Sequence, residues 1–238
     1  MDAMSFGRYG LGLWRFTTES VADATRLISV AVDNGVTLLD NAAVYGRNWG
    51  GKGFGAAEEL LGAVLRKSPT LREKVCVATK GGIRRPGDPQ PASPHRYDSS
   101  GEHIRRACDA SLKRLGIEAI DLYMLHREDF LSEPEEIAAA FDQLHHSGKV
   151  RSFGLSNFRP TFVATMLKFC RQPIITHQLE ISLARLAPFT DGLLDQCLPE
   201  KLTPLAWSPL AGGLIGDGAT KLLPAQQAYK LDALLPVL

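Results

Sequence analysis

The 238-residue sequence lacks the features that mark several classes of protein. It has no uninterrupted apolar run of about 18 residues, so no membrane-spanning helix is predicted. Lysine and arginine (27) nearly balance aspartate and glutamate (26), and a formal net charge of +1 gives no electrostatic reason to expect nucleic acid or an anionic membrane as a partner. The N-terminal residues 1–15 contain no signal-peptide core, so a cytoplasmic location is expected.

Cysteine is scarce and scattered. The four cysteines share no spacing typical of metal ligands, and they lie far apart in the sequence: Cys76, Cys108, Cys170 and Cys197. We therefore expect free thiols in a reducing compartment, with neither a disulfide framework nor a metal site. A G-x-G-x-x-G fingerprint is also missing after the first strand-like run, which argues against a Rossmann-type dehydrogenase.

What the chain does have is an alternation of short apolar runs with longer amphipathic segments. With 45% hydrophobic and 22% charged residues it has an ordinary globular composition, and one domain spanning residues 1–238 is the simplest interpretation. Strands are predicted at Tyr9–Leu13, Val36–Asp40, Val75–Thr79, Ile120–Leu125, Val150–Leu155, Ile174–Gln178 and Thr203–Trp207. Helices are predicted at Thr18–Asn34, Ala56–Arg66, Gly101–Leu115, Glu133–Ser147, Pro160–Phe169 and Thr190–Cys197.

This alternation predicts parallel strands joined by right-handed crossovers. The pattern alone leaves two α/β architectures open, a doubly wound sheet and a closed barrel. Seven strand-like runs are found where a barrel of this type needs eight. The last residues, Ala233–Leu238, could begin a seventh helix or form an eighth strand.

Reactive side chains collect where the predicted strands end. Asp40 ends the second strand and Tyr45 follows it, while Lys80 and His126 follow the third and fourth strands. In a parallel barrel all these ends lie on one face, where active sites form. The four side chains are therefore expected to be neighbours in space.

These four residue types suit proton transfer to a carbonyl oxygen. A tyrosine hydroxyl is a poor acid, with an ordinary pKa near ~10, and the ammonium of Lys80 is expected to lower that pKa by favouring the phenolate. Asp40 can supply the counter-charge that keeps Lys80 protonated. A neutral His126 can donate a hydrogen bond that orients the carbonyl.

Six segments in register resemble the aldo-keto reductase family. The first holds the Asp40-to-Tyr45 spacing, and the others surround Lys80, His126, the Ser156-Asn157 pair, Gln178 and Trp207. The segments read GVTLLDNAAVYG, ATK, IDLYMLH, GKVRSFGLSNF, HQLE and AWSPLAGG. The resemblance implies a parallel (β/α)8 TIM barrel that reduces aldehydes or ketones with NADPH and without a metal.

The resemblance also implies a role for each matching residue. Tyr45 would be the general acid, Lys80 and Asp40 would tune it, and His126 would position the carbonyl. The backbone near Gly12 and Leu13 is expected to lie below the nicotinamide of NADPH. The other residues expected to contact NADPH are Ser156, Asn157, Gln178, Trp207, Ser208, Leu210 and Gly212. Three residues in loops on the catalytic face, Trp14, Trp49 and Arg127, are expected to contact the substrate.

The sequence departs from this family at its C-terminus, where members continue through an eighth strand and an eighth helix. A C-terminally truncated member is therefore expected, with a barrel incomplete on that side and two sheet edges left unpaired. Two other functions remain open: a non-catalytic regulatory partner on the same fold, and a different barrel enzyme such as an isomerase. Neither the physiological substrate nor the oligomeric state can be read from the sequence.

Overall fold

The computed structural model describes residues 6–18 and 20–215. The helices are α1 (Val21–Asp33), α2 (Ala56–Lys67), α3 (Pro69–Lys74), α4 (Gly101–Leu115), α5 (Pro134–His146), α6 (Pro160–Phe169) and α7 (Leu193–Cys197). The strands are β1 (Gly10–Gly12), β2 (Leu38–Asp40), β3 (Cys76–Gly81), β4 (Ile83–Arg84), β5 (Arg96–Tyr97), β6 (Ile120–Leu125), β7 (Val150–Ser156), β8 (Ile174–Glu180) and β9 (Thr203–Trp207). Two short 3-10 helices are Ala187–Phe189 and Ala211–Gly213.

Seven strands form one parallel sheet in the order β1-β2-β3-β6-β7-β8-β9. Each consecutive pair along the sheet is joined by a crossover, and the sheet curves into a near-complete barrel of the (β/α) type. Within the described ranges, no strand pairs with the outer edge of β1 or of β9. The parallel barrel prediction is confirmed, whereas the expected final element at Ala233–Leu238 lies outside the described residues.

The larger hydrophobic core lies between the strands and the surrounding helices. It includes fully buried side chains from α1, α2, α4 and α5, such as Ile28, Leu61, Ile104 and Phe141. A smaller cluster of Leu38, Ala78, Leu122 and Met124 fills the barrel interior. Together these clusters fix the strands, and hence the positions of the strand ends.

Two glycines show how closely the elements approach. A Cβ built on Gly62 of α2 would lie 2.5 Å from the carbonyl oxygen of Arg114 and 2.7 Å from that of Leu115, both on α4. At the end of α4, Gly116 takes a left-handed conformation with φ of 64°, and its N–H donates to the Leu112 carbonyl, 2.8 Å between N and O. Glycine suits both positions because it has no side chain to clash.

The structure adds elements that sequence reasoning did not predict. Helix α3 is only six residues long and follows α2 directly, so it has too few residues to show a periodic apolar pattern. Strands β4 and β5 have two residues each and pair antiparallel in a hairpin between β3 and α4. This hairpin is held by the guanidinium of Arg84, whose Nε lies 2.5 Å from the Asp98 carboxylate.

Candidate active site

The carboxyl ends of the parallel strands surround an open cleft of about 900 Å³. Most of the residues predicted for the site line it. Those residues are Gly12, Trp14, Asp40, Tyr45, His126, Arg127, Ser156, Asn157, Gln178, Trp207, Ser208, Leu210 and Gly212. The barrel therefore brings together side chains that lie up to about 200 residues apart in the sequence.

Lys80 lies beneath the cleft with no exposed side-chain surface. Its Nζ donates to Asp40 Oδ1 at 2.7 Å, to the Asn41 carbonyl at 2.8 Å and to the Tyr45 hydroxyl at 3.4 Å. Burial alone would lower the pKa of Lys80, but attraction to Asp40 and Tyr45 outweighs it and the pKa is raised. Lys80 is therefore a buried ammonium whose three N–H bonds are all used.

The pKa of Tyr45 differs in direction from the sequence expectation. Burial raises this pKa, and the negative charge of Asp40 raises it further. The charge of Lys80 and its hydrogen bond lower the pKa of Tyr45, as predicted, but they do not reverse the effect of burial. Tyr45 therefore keeps its proton at neutral pH in the folded chain.

His126 stands across from Tyr45, with 5.8 Å between the ring centroids and an angle of 79° between the planes. Burial, followed by the charges of Lys80 and Arg127, lowers the pKa of His126 well below its ordinary value. The imidazole is thus neutral at pH 7. Its Nδ1 atom is buried without a hydrogen-bond partner in the described structure.

Asn157 joins three strand ends. Its Nδ2 donates to Ser156 Oγ at 2.7 Å and to the His126 carbonyl at 3.2 Å, while its Oδ1 accepts from Trp207 Nε1 at 2.9 Å. The residue has φ of 60°, a conformation that asparagine tolerates better than most residues. Gln178 lies next to this group and donates to Asp40 Oδ2 at 3.0 Å.

The loop after β9 forms one wall of the cleft and contains Ser208, Leu210 and Gly212. Arg15, in the loop after β1, donates from Nη2 to the Gly212 carbonyl at 2.8 Å. This bond ties the two edges of the described sheet together across the cleft mouth. Leu13 is placed differently from the other predicted cofactor residues, because its side chain is 1% exposed and packs in the core.

The three predicted substrate residues lie on two sides of the cleft. Trp14 and Trp49 meet edge to face, with 5.6 Å between ring centroids, and Trp49 stacks beneath the guanidinium of Arg15 at 4.2 Å. Arg127 lies opposite, with its Cζ 6.0 Å from the centre of the Trp207 ring. Trp14 and Arg127 line the cleft, whereas Trp49 supports its rim.

Sequence reasoning missed several cleft residues. Arg15 and Arg47 lie in loops after β1 and β2, and Ile83 and His95 come from the hairpin. Arg15 and Arg47 are close in sequence to Trp14 and Trp49, so their position in strand-end loops was a usable signal. No comparable signal marks Ile83 and His95, because the hairpin itself is not apparent in the sequence.

The described residues contain neither a cluster of metal-ligand side chains nor a membrane-spanning helix. No group of three or more His, Cys, Asp or Glu side chains there is arranged to hold a metal ion. No helix in that part of the chain has both the length and the apolar character needed to cross a membrane.

Comparison with known proteins decides the family. A model of the aldo/keto reductase family matches residues 8–233. The chain belongs to the aldo-keto reductase family. The residues of the cleft described above all fall within the matched range.

Named relatives and a solved structure agree with this family. The chain is 43% identical over 211 residues to a 6-dehydroglucose reductase of Novosphingobium aromaticivorans, covering 88% of this chain and 66% of the relative. It is 36% identical to a 6-dehydroglucose reductase of Agrobacterium fabrum, covering 92% and 72%. A glycerol dehydrogenase of Gluconobacter oxydans superposes with a TM-score of 0.81 at 29% identity, covering 99% and 70%. The chain thus spans about two thirds of the length of these aldo-keto reductases.

Proposed function

We propose that this aldo-keto reductase reduces aldehydes and ketones to alcohols with NADPH, and that Tyr45 is the general acid. The observation that carries the proposal is the position of the Lys80 ammonium, 2.7 Å from Asp40 and 3.4 Å from the Tyr45 hydroxyl beneath an open cleft. A buried cation held against a phenol supports proton release from that phenol.

In this proposal, Tyr45 holds its proton until the carbonyl oxygen becomes negative. The raised pKa of Tyr45 keeps the hydroxyl protonated at neutral pH, so the proton is available for donation. Lys80 then stabilises the phenolate that forms, and Asp40 keeps Lys80 charged. These interactions strengthen as charge develops, so they stabilise the transition state more than the ground state.

His126 would orient the carbonyl toward Tyr45. As a neutral imidazole it can donate one N–H without taking the proton that Tyr45 must deliver. The two rings both line the cleft and meet edge to face, with 5.8 Å between their centroids. The carbonyl oxygen would be held between the two donors.

The residues of the cleft fit a nicotinamide cofactor, which when bound supplies the hydride. Trp207 offers a ring face at the cleft, and its Nε1 is fixed by Asn157 at 2.9 Å. Ser156, Asn157 and Gln178 offer polar groups beside that ring for a carboxamide. Gly12 pairs with Asp40 in the sheet, so we place the nicotinamide beside its backbone. Ser208, Leu210 and Gly212 line the cleft in the loop after β9, where we place the phosphates.

We propose small carbonyl compounds as substrates. The relatives named 6-dehydroglucose reductase make an aldehyde-bearing sugar a reasonable first member of a test panel. The aromatic and polar walls contributed by Trp14 and His95 are compatible with a hydroxylated compound, since aromatic faces and hydrogen-bond donors both bind sugars.

The experiment is a titration with NADPH followed by a turnover assay. Saturable quenching of tryptophan fluorescence is expected because Trp207 lies at the cofactor cleft. The Tyr45→Phe variant should bind NADPH equally well and lose carbonyl reduction by about 10²–10⁴-fold, the usual contribution of a general acid. Reduction by the variant at the rate of the unaltered chain would remove Tyr45 from the mechanism.

A further inference from the structure

We infer that Arg127 binds an anionic group, a carboxylate or a phosphate, that the substrate carries close to its carbonyl. The cleft would then prefer acidic carbonyl compounds to neutral ones of the same shape. This inference rests on the proposed reductase function and adds a substrate class to it.

The charges that line the cleft are unbalanced. Arg15, Arg47 and Arg127 all line it, whereas its carboxylate, Asp40, is neutralised by Lys80. None of the three arginines forms an ion pair with any residue in 6–18 or 20–215. A cleft lined by charge of one sign concentrates ligands of the opposite sign.

Of the three arginines, Arg127 is the one beside the reacting groups. It follows His126 directly, and its charge lowers the pKa of both His126 and Tyr45. The neighbouring acids are already engaged: Glu128 binds the Arg159 guanidinium, and Asp129 accepts from the backbone N–H of Ser99 at 3.0 Å. The guanidinium is therefore held at the carbonyl end of the cleft without an anionic partner.

The phosphates of the cofactor are a second source of negative charge, but another arginine is better placed for them. Arg15 is bonded to Gly212, in the loop where we place the phosphate path. Arg127 instead lies over Trp207, the ring assigned to the nicotinamide, at 6.0 Å. Position along the cleft thus assigns Arg15 to the cofactor and Arg127 to the substrate.

Arginine suits this role because its planar guanidinium can donate two parallel hydrogen bonds to a carboxylate or a phosphate. The guanidinium also lies over the Trp207 ring, 6.0 Å from its centre, and attraction to the ring face favours this position at the cleft. An anion bound there would anchor the substrate beside His126 and Tyr45, so that the carbonyl is presented to both donors.

The test compares matched substrates in the unaltered chain and in Arg127→Met. The pairs are pyruvate with methyl pyruvate, and glyceraldehyde 3-phosphate with glyceraldehyde. The ratio of kcat/KM within a pair is compared between the two proteins, so that differences in intrinsic reactivity cancel. We expect Arg127→Met to reduce the acidic-to-neutral ratio roughly tenfold or more for at least one pair. The pair whose ratio falls in Arg127→Met shows whether the bound anion is a carboxylate or a phosphate.

Arg47→Met is the control, because Arg47 also lines the cleft but packs over Phe54, 5.5 Å from the ring centre. The ratios should change little in this variant. An equal fall of the acidic-to-neutral ratio in the two variants would show that the overall positive potential of the cleft sets the preference. That result would overturn the assignment to Arg127. Unchanged ratios in Arg127→Met, with neutral carbonyls still reduced, would overturn it while leaving the reductase function intact.

A binding measurement decides the matter if no carbonyl compound is turned over. Because Arg127 lies over Trp207, inorganic phosphate or oxalate bound at Arg127 should change tryptophan fluorescence. The change should saturate in the unaltered chain and in Arg47→Met, and be lost in Arg127→Met, with chloride at equal ionic strength as reference. The same response in all three proteins would refute the anion site. Where the carbonyl compounds are turned over, an NADPH affinity that falls in Arg127→Met while the substrate ratios stay constant would overturn the assignment and give the anion to the cofactor.

Discussion

Replacing Lys80 by methionine should damage both stability and activity. Methionine has nearly the same length and volume as lysine but removes the ammonium. The change leaves the Asp40 carboxylate, whose side chain is 13% exposed, without the cation that now lies 2.7 Å away. It also leaves the Asn41 carbonyl without its 2.8 Å hydrogen bond from Lys80.

The size of the stability loss follows from that geometry. At an effective dielectric constant of about 20, two unit charges 2.7 Å apart attract by roughly 6 kcal/mol, part of which offsets the cost of burying both. Removing one partner of a buried pair typically costs about 3–5 kcal/mol. That is a large share of the ~5–15 kcal/mol by which a domain is stable.

Chemical denaturation and steady-state kinetics measure the two effects separately. The double variant Asp40→Asn/Lys80→Met should be more stable than Lys80→Met, by at least ~1 kcal/mol, because no unpaired buried carboxylate remains. Carbonyl reduction should fall by about 10²–10⁴-fold in both variants, since the Tyr45 phenolate loses its cation in each. A single variant as stable as the unaltered chain, or a double variant with restored turnover, would refute this account of the site.

Two further predictions concern the scaffold. The imidazole of His177 is fully buried, and burial lowers its pKa from 6.5 to about 4. Below pH 6.5 the unfolded chain therefore binds more protons than the folded chain, and the free energy of unfolding should fall by about 3 kcal/mol between pH 6.5 and 4. His177→Asn should make this dependence on pH weaker. A pH profile of stability identical in the two proteins would contradict this. Gly62→Ala should destabilise the chain by about 1–3 kcal/mol despite the better helix propensity of alanine, because its Cβ would meet the Arg114 carbonyl oxygen at 2.5 Å. Ala63→Gly, at a half-buried position of the same helix, measures helix propensity together with the loss of one methyl group. A stabilised Gly62→Ala would show that α2 and α4 can separate freely.

The regular elements were predictable because their signals are local. The apolar run Ile120–Leu125 is buried at every position in β6, and helix α4 spans Gly101–Leu115 as predicted. Ser100 accepts from the N–H of His103 at the start of that helix and Gly116 ends it. Helix caps and apolar periodicity depend on residues only a few positions apart, so they can be recognised without knowing the fold.

The shorter elements were not predictable for the same reason. The hairpin of β4 and β5 depends on Arg84, which bonds Asp98 fourteen residues later and approaches Asp88 at 3.5 Å. Strands of two residues are too short to show an alternating apolar pattern in the sequence. Their position matters nevertheless, because Ile83 and His95 form part of the cleft wall.

By itself the sequence determined the order of the seven strands of the parallel sheet, of six of the seven described helices, and of the residues that follow each of those strands. Since parallel strand ends share one face of a barrel, that was enough to predict that Asp40, Tyr45, Lys80 and His126 would meet.

Only the tertiary structure decided what those neighbours do to one another. Burial outweighs Lys80 at Tyr45 and raises its pKa, Leu13 turns into the core, and Arg15 reaches Gly212 across 197 positions. The position of the Arg127 guanidinium over Trp207 was likewise decided only by the tertiary structure. Electrostatic energies depend on distances and burial in three dimensions, and those quantities are set by packing rather than by spacing along the chain.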